Sequence, residues 1–183
     1  METRYGLPFF LEDNTGRLTG SEFVDIHERM KLIYRCRSSD HTRAVYEVYD
    51  TTSGTFDSFR TPRITLTFGA NNALGTVSFG SEYLVPMDRF LSQVNPIAGS
   101  RLRRFIGSDG NEYRWGHRIA NNEWTCTNRN GEIVAHYNLK DPSEPVYQNS
   151  SGCMLTVEEN FGDLAAEMLA TVMIMRHIVE HDL

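Results

Sequence analysis

Arginine is the first residue type in this chain whose spacing suggests chemistry. Arg101, Arg103 and Arg104 precede an Asp109-Gly110 turn, and Arg114 and Arg118 follow it. Two strands joined by that turn lie side by side, which brings up to five guanidiniums together. The planar guanidinium fork suits phosphate oxygens, and an anionic ligand relieves the repulsion between neighbouring forks. The plainer reading is that these arginines face solvent or pair with Asp109 and Glu112, contributing little. A second feature is His177-Ile-Val-Glu-His181, an H-x-x-E-H spacing. On a helix, His177 and His181 can face one metal while Glu180 activates water, the chemistry of a metal-dependent hydrolase. Only Asp182 and Leu183 remain downstream for a third ligand. Histidines in a last helical turn also complement the helix dipole without any metal. We therefore expect no metal and no cofactor, with the hydrolase as the alternative.

The other reactive side chains read as structural. His136 falls on an alternating strand and His117 among the arginines, both positions suited to hydrogen-bonded histidines. Cys36 and Cys126 lie in strand-like segments with no recognisable catalytic neighbour. Trp115, Trp124 and Tyr113 flank the hairpins, where core or cross-strand pairing is the ordinary role. No G-x-S-x-G elbow, P-loop or G-x-G-x-x-G is present. Cys36, Cys126 and Cys153 form no C-x-x-C pair and cannot all be paired, so they read as reduced, buried thiols of an intracellular protein.

The elements that position these residues are mostly strands. Ile64, Leu66 and Phe68 alternate with Thr65 and Thr67, and Val77 and Phe79 with Thr76 and Ser78. Met30–Cys36, Arg43–Tyr49 and Ile133–Tyr137 read the same way. Asp109-Gly110 and Asn130-Gly131 are hairpin turns, because a left-handed backbone matches strand twist. Looser turns fall at Thr51–Gly54 and Gly69–Asn72, and Pro86–Leu91 reads as a short helical turn. Roughly ten strands result, spaced as in a meander or barrel. The exception comes last. Leu164–Met175 is rich in Ala, Leu and Met, with Asp163 placed to cap it. Only Glu167 and Thr171 interrupt its apolar surface, so the helix should be buried nearly all round. Strands that curl into a barrel would enclose such a helix.

Composition limits the function classes. The 183 residues are 40% hydrophobic, with 18 basic against 24 acidic residues and a net charge of -6. A pI near 5.5 argues against a nucleic-acid binder, which needs a basic surface to displace counterions. No stretch approaches the ~20 apolar residues of a membrane span. Met1–Leu11 has no continuous apolar run and no small-residue cleavage site, so a cytoplasmic location is expected. No linker, charge block or repeat divides the chain, which reads as one domain over residues 1–183.

The strand-then-helix order, with Gly107-Ser-Asp-Gly-Asn-Glu-Tyr-Arg-Trp115 and Gly131-Glu-Ile-Val-Ala-His-Tyr137, resembles a large, mostly uncharacterised family of mushroom-forming fungi. That family looks like a branch of the tubby-like group, with the LURP-one-related proteins and the phospholipid scramblases. The best match runs from about Ile64 to Ile178, and a weaker one reaches back to about Phe23. The resemblance implies a mainly β fold: a closed antiparallel barrel of about twelve strands around a hydrophobic C-terminal helix. Tubby proteins hold phosphoinositide head groups on basic residues of the barrel. The proline-rich region and palmitoylated cysteine cluster of scramblases are missing here. The expectation is a non-enzymatic binding domain for an anionic lipid head group or a protein partner. Arg101, Arg103, Arg104, Arg114 and Arg118 are the expected contacts.

Overall fold

The alternating runs are strands, thirteen of them among the described residues. In a computed structural model, described over residues 6–80, 83–94, 101–118, 121–140, 143 and 150–183, the first seven are β1 (Phe9–Asp13), β2 (Gly20–Asp25), β3 (Lys31–Ser39), β4 (Ala44–Asp50), β5 (Ile64–Phe68), β6 (Thr76–Phe79) and β7 (Tyr83–Pro86). One helical turn, α1 (Met87–Phe90), leads to β8 (Ser92–Gln93), β9 (Arg103–Ile106), β10 (Glu112–Arg118), β11 (Glu123–Asn128), β12 (Ile133–Asn138) and β13 (Cys153–Val157). The chain ends in α2 (Ala165–His181). Ile64, Leu66 and Phe68 are buried while Thr65 and Thr67 are not, as their alternation requires. Gly110 and Gly131 hold φ of 78° and 81°, the left-handed region that both hairpin turns need.

Every ladder is antiparallel, and each strand pairs with its neighbour in sequence, with two departures. β1 pairs β13, uniting the two halves of the meander. β7 and β8, consecutive in the chain, share no ladder among the described residues and form the two edges of the sheet. The expected ring of about twelve strands is thus a thirteen-stranded sheet with an open seam. The five residues Met87–Leu91 between the edges span at most ~18 Å, so the edges stay close. α1 fills the seam with side chains instead of hydrogen bonds. Met87 and Leu91 are fully buried, and Phe90 touches Phe79 on β6 at 5.1 Å and Phe105 on β9 at 5.8 Å between ring centroids.

α2 is longer than predicted, 17 residues against the expected twelve. Asp163 does not cap it: the residue is exposed, and the N-cap position is Leu164, with no side-chain cap bond. Burial holds the helix instead, because almost every residue from Ala165 to Ile178 is covered. Met168, Leu169, Val172, Met173, Ile174, Met175 and Ile178 each contribute about 1.5–3 kcal/mol of gross burial, offset by the ordering of the chain. Leu169→Ala alone should cost about 2–5 kcal/mol.

Four polar residues fix the rotation of α2 inside the sheet. Glu167 accepts from the Ser108 amide at 3.0 Å, and also from its hydroxyl, at the β9–β10 turn. The Thr171 hydroxyl receives the Trp115 indole N–H at 2.8 Å and donates to the Glu167 carbonyl at 2.7 Å. Arg176 donates to the Tyr137 hydroxyl and to the Gly16 carbonyl, both at 2.9 Å, and Tyr137 donates to Asp13 at 2.8 Å. His177 donates from Nε2 to the Asn72 carbonyl at 2.8 Å and stacks on Phe68 at 3.9 Å. These anchors come from β1, β5, β10, β12 and the loops between strands, so the sheet wraps around the helix. Among the described residues no helix is long and apolar enough to cross a membrane.

Candidate functional site

Strand parity divides the five hairpin arginines. The β9–β10 ladder pairs Arg104 with Arg114 and Arg103 with Trp115. Side chains alternate across a sheet, so Arg103 shares the inner face with Phe105 and Trp115, whereas Arg104, Arg114 and Arg118 point outward. Arg103 is half-buried, with Nη1 3.5 Å from the Leu91 carbonyl and a buried Nε that makes no hydrogen bond. Burial lowers its pKa, with Asp88 opposing. Arg101 donates to His117 Nδ1 at 3.4 Å and lies 3.4 Å from Asp182. The expected convergence of five guanidiniums is therefore a pair, Arg104 and Arg114, with Arg118 further along. Both members of the pair engage Glu112, at 3.4 and 2.7 Å. Arg114 in first place, then Arg104, holds that carboxyl below its usual range against a smaller opposing effect of burial.

A better organised basic region lies on the outer face of β3 and β4. Arg35, a register partner of Glu47, and Arg37 both reach the Glu47 carboxylate, at 3.7 and 3.0 Å. Glu47 points outward yet is 3% exposed, because the arginines and the β4–β5 connection cover it. Arg35 also donates to the Tyr49 hydroxyl at 2.6 Å and lies over that ring at 4.4 Å, while Tyr49 donates to Glu47. Burial, then the hydrogen bond to Glu47, raises the Tyr49 pKa. A bulge between Cys36 and Ser38 inserts Arg37 as an unpaired residue and turns the strand there. Arg60, just past the 3-10 turn Phe56–Phe59, sits over the Phe56 ring at 4.1 Å. Arg35, Arg37 and Arg60, with Cys36, Glu47 and Tyr49, line an open depression of about 500 Å³. Beside it Phe56 and Phe59 are 68% and 45% exposed.

Sequence reasoning passed over this region, although a signal was present. Arg35 and Arg37, two apart in a strand-like run, suggest a shared face, although the bulge at Arg37 that interrupts the alternation is not encoded by that spacing. The adjacent Arg103 and Arg104, by contrast, must part. The reach of Arg60 depends on how the β4–β5 connection folds, which no local spacing encodes.

The remaining candidates are placed as follows. His177 and His181 lie 4.4 Å apart between ring centroids, but His177 Nε2 is committed to Asn72 and Glu180 is exposed. Burial lowers the His177 pKa, which favours the neutral ring that donates to the carbonyl. Among the described residues no group of three or more His, Cys, Asp or Glu is disposed to hold a metal. His117 stacks on Trp124 at 4.5 Å and burial lowers its pKa, while His136 lies 3.9 Å from Glu123. Tyr113, Trp115 and Trp124 are core residues. The three cysteines are free, and Cys126 and Cys153 are buried. Cys36 is exposed, against expectation, at the point where β3 has passed the end of its ladder with β2 and enters its bulge. Burial pushes the Cys126 thiol well up, away from a nucleophile's range.

Residues 26–182 match the model of a family described as "Family of unknown function (DUF6593)". The chain belongs to this family. The DUF6593 match begins after β2 and contains both basic regions, the α1 seam and all of α2. Comparison with curated proteins and with solved structures returns no match.

Proposed function

We propose that this chain is an intracellular, non-enzymatic binding domain with a tubby-like barrel whose seam lies at α1, and that it recognises anionic, phosphate-bearing lipid head groups. The observation that carries this reading is the β3–β4 depression. Three guanidiniums open onto one concavity, two of them held in place by a single buried carboxylate. Forks fixed in this way lose little freedom when they bind phosphate oxygens. Exposed Phe56 and Phe59 beside the guanidiniums add the apolar contact that a membrane interface accepts. Arg104, Arg114 and Arg118 form a second, weaker cationic face. It lies far around the sheet, since β2, β1, β13, β12 and β11 separate β3 from β10.

Sedimentation with phosphoinositide-bearing vesicles tests this reading. Arg35→Ala/Arg37→Ala should abolish binding at a temperature where the variant is still folded, with a lowered melting temperature because Glu47 is left buried without its cations. Arg104→Ala/Arg114→Ala should largely preserve binding. The reverse pattern would move the site to the hairpin. A parent protein that binds no vesicle even at low salt, where surface electrostatics are strongest, would remove the lipid reading altogether. One observation favours a protein partner instead. Among the described residues the β7 edge has no ladder partner, and Tyr83 and Leu84 on it are 63% and 67% exposed, the setting in which a strand is added from another chain. Leu84→Lys would then release a bound protein without changing vesicle binding.

A further inference from the structure

The cavity at the N-terminal end of α2 takes no part in the reading above. It measures about 720 Å³, within the size range of small-molecule sites, and lies between the ends of β3 to β6, the β9–β10 turn and the start of α2. Its floor is apolar: Phe9, Leu32, Ile64 and Phe79 line it, with Leu32 and Ile64 belonging to the core. Its polar lining is unbalanced. Asp50, Glu159, Asp163 and Glu167 face two guanidiniums, Arg29 and Arg63.

Arg29 is already committed. Its Nε donates to the buried Asp25 at 2.8 Å, Nη1 to the Leu7 carbonyl at 3.0 Å, and Nη2 to the Pro8 carbonyl. Burial opposes the charge on Asp25, but the Arg29 side chain and the Phe10 and Arg29 amides hold its carboxyl below the usual range. That network fixes one wall of the cavity. Arg29 also lies 3.9 Å from Glu159, which accepts from the Gly6 amide at 2.7 Å, so Arg63 is left against Asp50, Asp163 and Glu167. Glu167 is 8% exposed, and the hydrogen bonds it accepts in the described structure come from Ser108. The field at the start of α2 favours Glu167 and Asp163, but it fades within a turn and does not serve Asp50 on β4. Carboxylates above an apolar floor, one of them buried with no cation beside it among the described residues, select a positively charged ligand with an apolar body.

We infer that this cavity binds a cationic amphiphile: a protonated amine faces Glu167 and the rim carboxylates, and its hydrocarbon lies on Leu32, Ile64 and Phe79. The ligand has the opposite charge to the one proposed for β3–β4, so the two sites stand or fall separately. Calorimetric titration of the full chain at neutral pH with n-octylamine, 1-octanol and octanoate tests the inference. Octylamine should bind, and the alcohol and the acid at least ten-fold more weakly. Ala166→Phe, which places a ring in the cavity, should abolish octylamine binding. Glu167→Gln should weaken it at least ten-fold. Asp50→Asn/Asp163→Asn keeps the Glu167–Ser108 anchor and should weaken it about five-fold, so the outcome does not depend on how Glu167→Gln folds. Binding of 1-octanol or octanoate as tight as that of octylamine would overturn the inference. Octylamine binding unaffected by Ala166→Phe, or no binding by the parent, would do the same.

Discussion

The β9–β10 hairpin and the β3–β4 depression are both rich in arginine, yet they are built on opposite principles. The hairpin has more arginines within a shorter stretch of chain, and the sheet separates them. Arg103 goes inward to the Leu91 carbonyl, Arg101 to His117 and Asp182, and Arg104 and Arg114 to one carboxylate. The β3–β4 region gathers Arg35, Arg37 and Arg60 on one face, because Arg35 and the bulged Arg37 both reach Glu47 and the third arrives from the β4–β5 connection. Density of charge along a chain is therefore a poor guide to density of charge in space. Strand pairing, including the bulge at Arg37, and a buried carboxylate to hold the forks decide it.

The largest contrast is expected in affinity. Arg35→Ala/Arg37→Ala removes two charge-assisted contacts of about 1.5–3 kcal/mol each, a loss of at least a hundred-fold in vesicle partitioning. Arg104→Ala/Arg114→Ala should change partitioning by no more than about two-fold. Equal losses would erase the distinction between the regions. Phe56→Ala/Phe59→Ala sharpens it next. Vesicle binding should fall about ten-fold, as expected for two exposed rings leaving an interface, while a soluble inositol polyphosphate should bind as before. If the soluble ligand is lost equally, the rings shape the depression itself and the lipid surface plays no part.

A smaller effect separates the inward arginines from the outward ones. Arg103→Ala should lower stability by about 1 kcal/mol in a denaturant titration, since its stem covers interior surface, and should leave binding unchanged. A loss of binding would return Arg103 to the ligand contacts. The smallest effect is one of pH. The Glu112 carboxyl lies below its ordinary value because of Arg114 and Arg104. Any stability from these pairs is complete above the unfolded value near ~4.3, and is lost only as pH falls through the lower folded value. Carbon-detected NMR titration of Glu112 should therefore find its midpoint below that of an unstructured glutamate. An ordinary midpoint would mean that the hairpin arginines are not neutralised and remain available to a ligand.

Much of the architecture could be read from local pattern. The alternation at Ile64–Phe68 and the Asp-Gly and Asn-Gly turns locate strands and hairpins, since side-chain period and left-handed backbone are local properties. The buried helix was legible because so few polar residues interrupt it, but its last turns were not. Arg176 and His177 look like a polar end until Tyr137, Gly16 and Asn72 close around them from distant parts of the chain. The seam was also illegible. β8 is two residues long, and what fills the gap is the packing of Met87, Phe90 and Leu91. The site followed the same rule: arginine was the right residue type, while its placement depended on strand pairing and on one loop crossing the outer face.

The most direct test of the central claim is to watch the arginine side chains themselves. In an Nε–Hε correlation spectrum of the folded protein, titration with a soluble inositol polyphosphate should shift Arg35, Arg37 and Arg60 along one saturating curve and leave Arg104 and Arg114 in place. Movement of Arg104 and Arg114 with Arg35 and Arg37 unmoved would contradict the account.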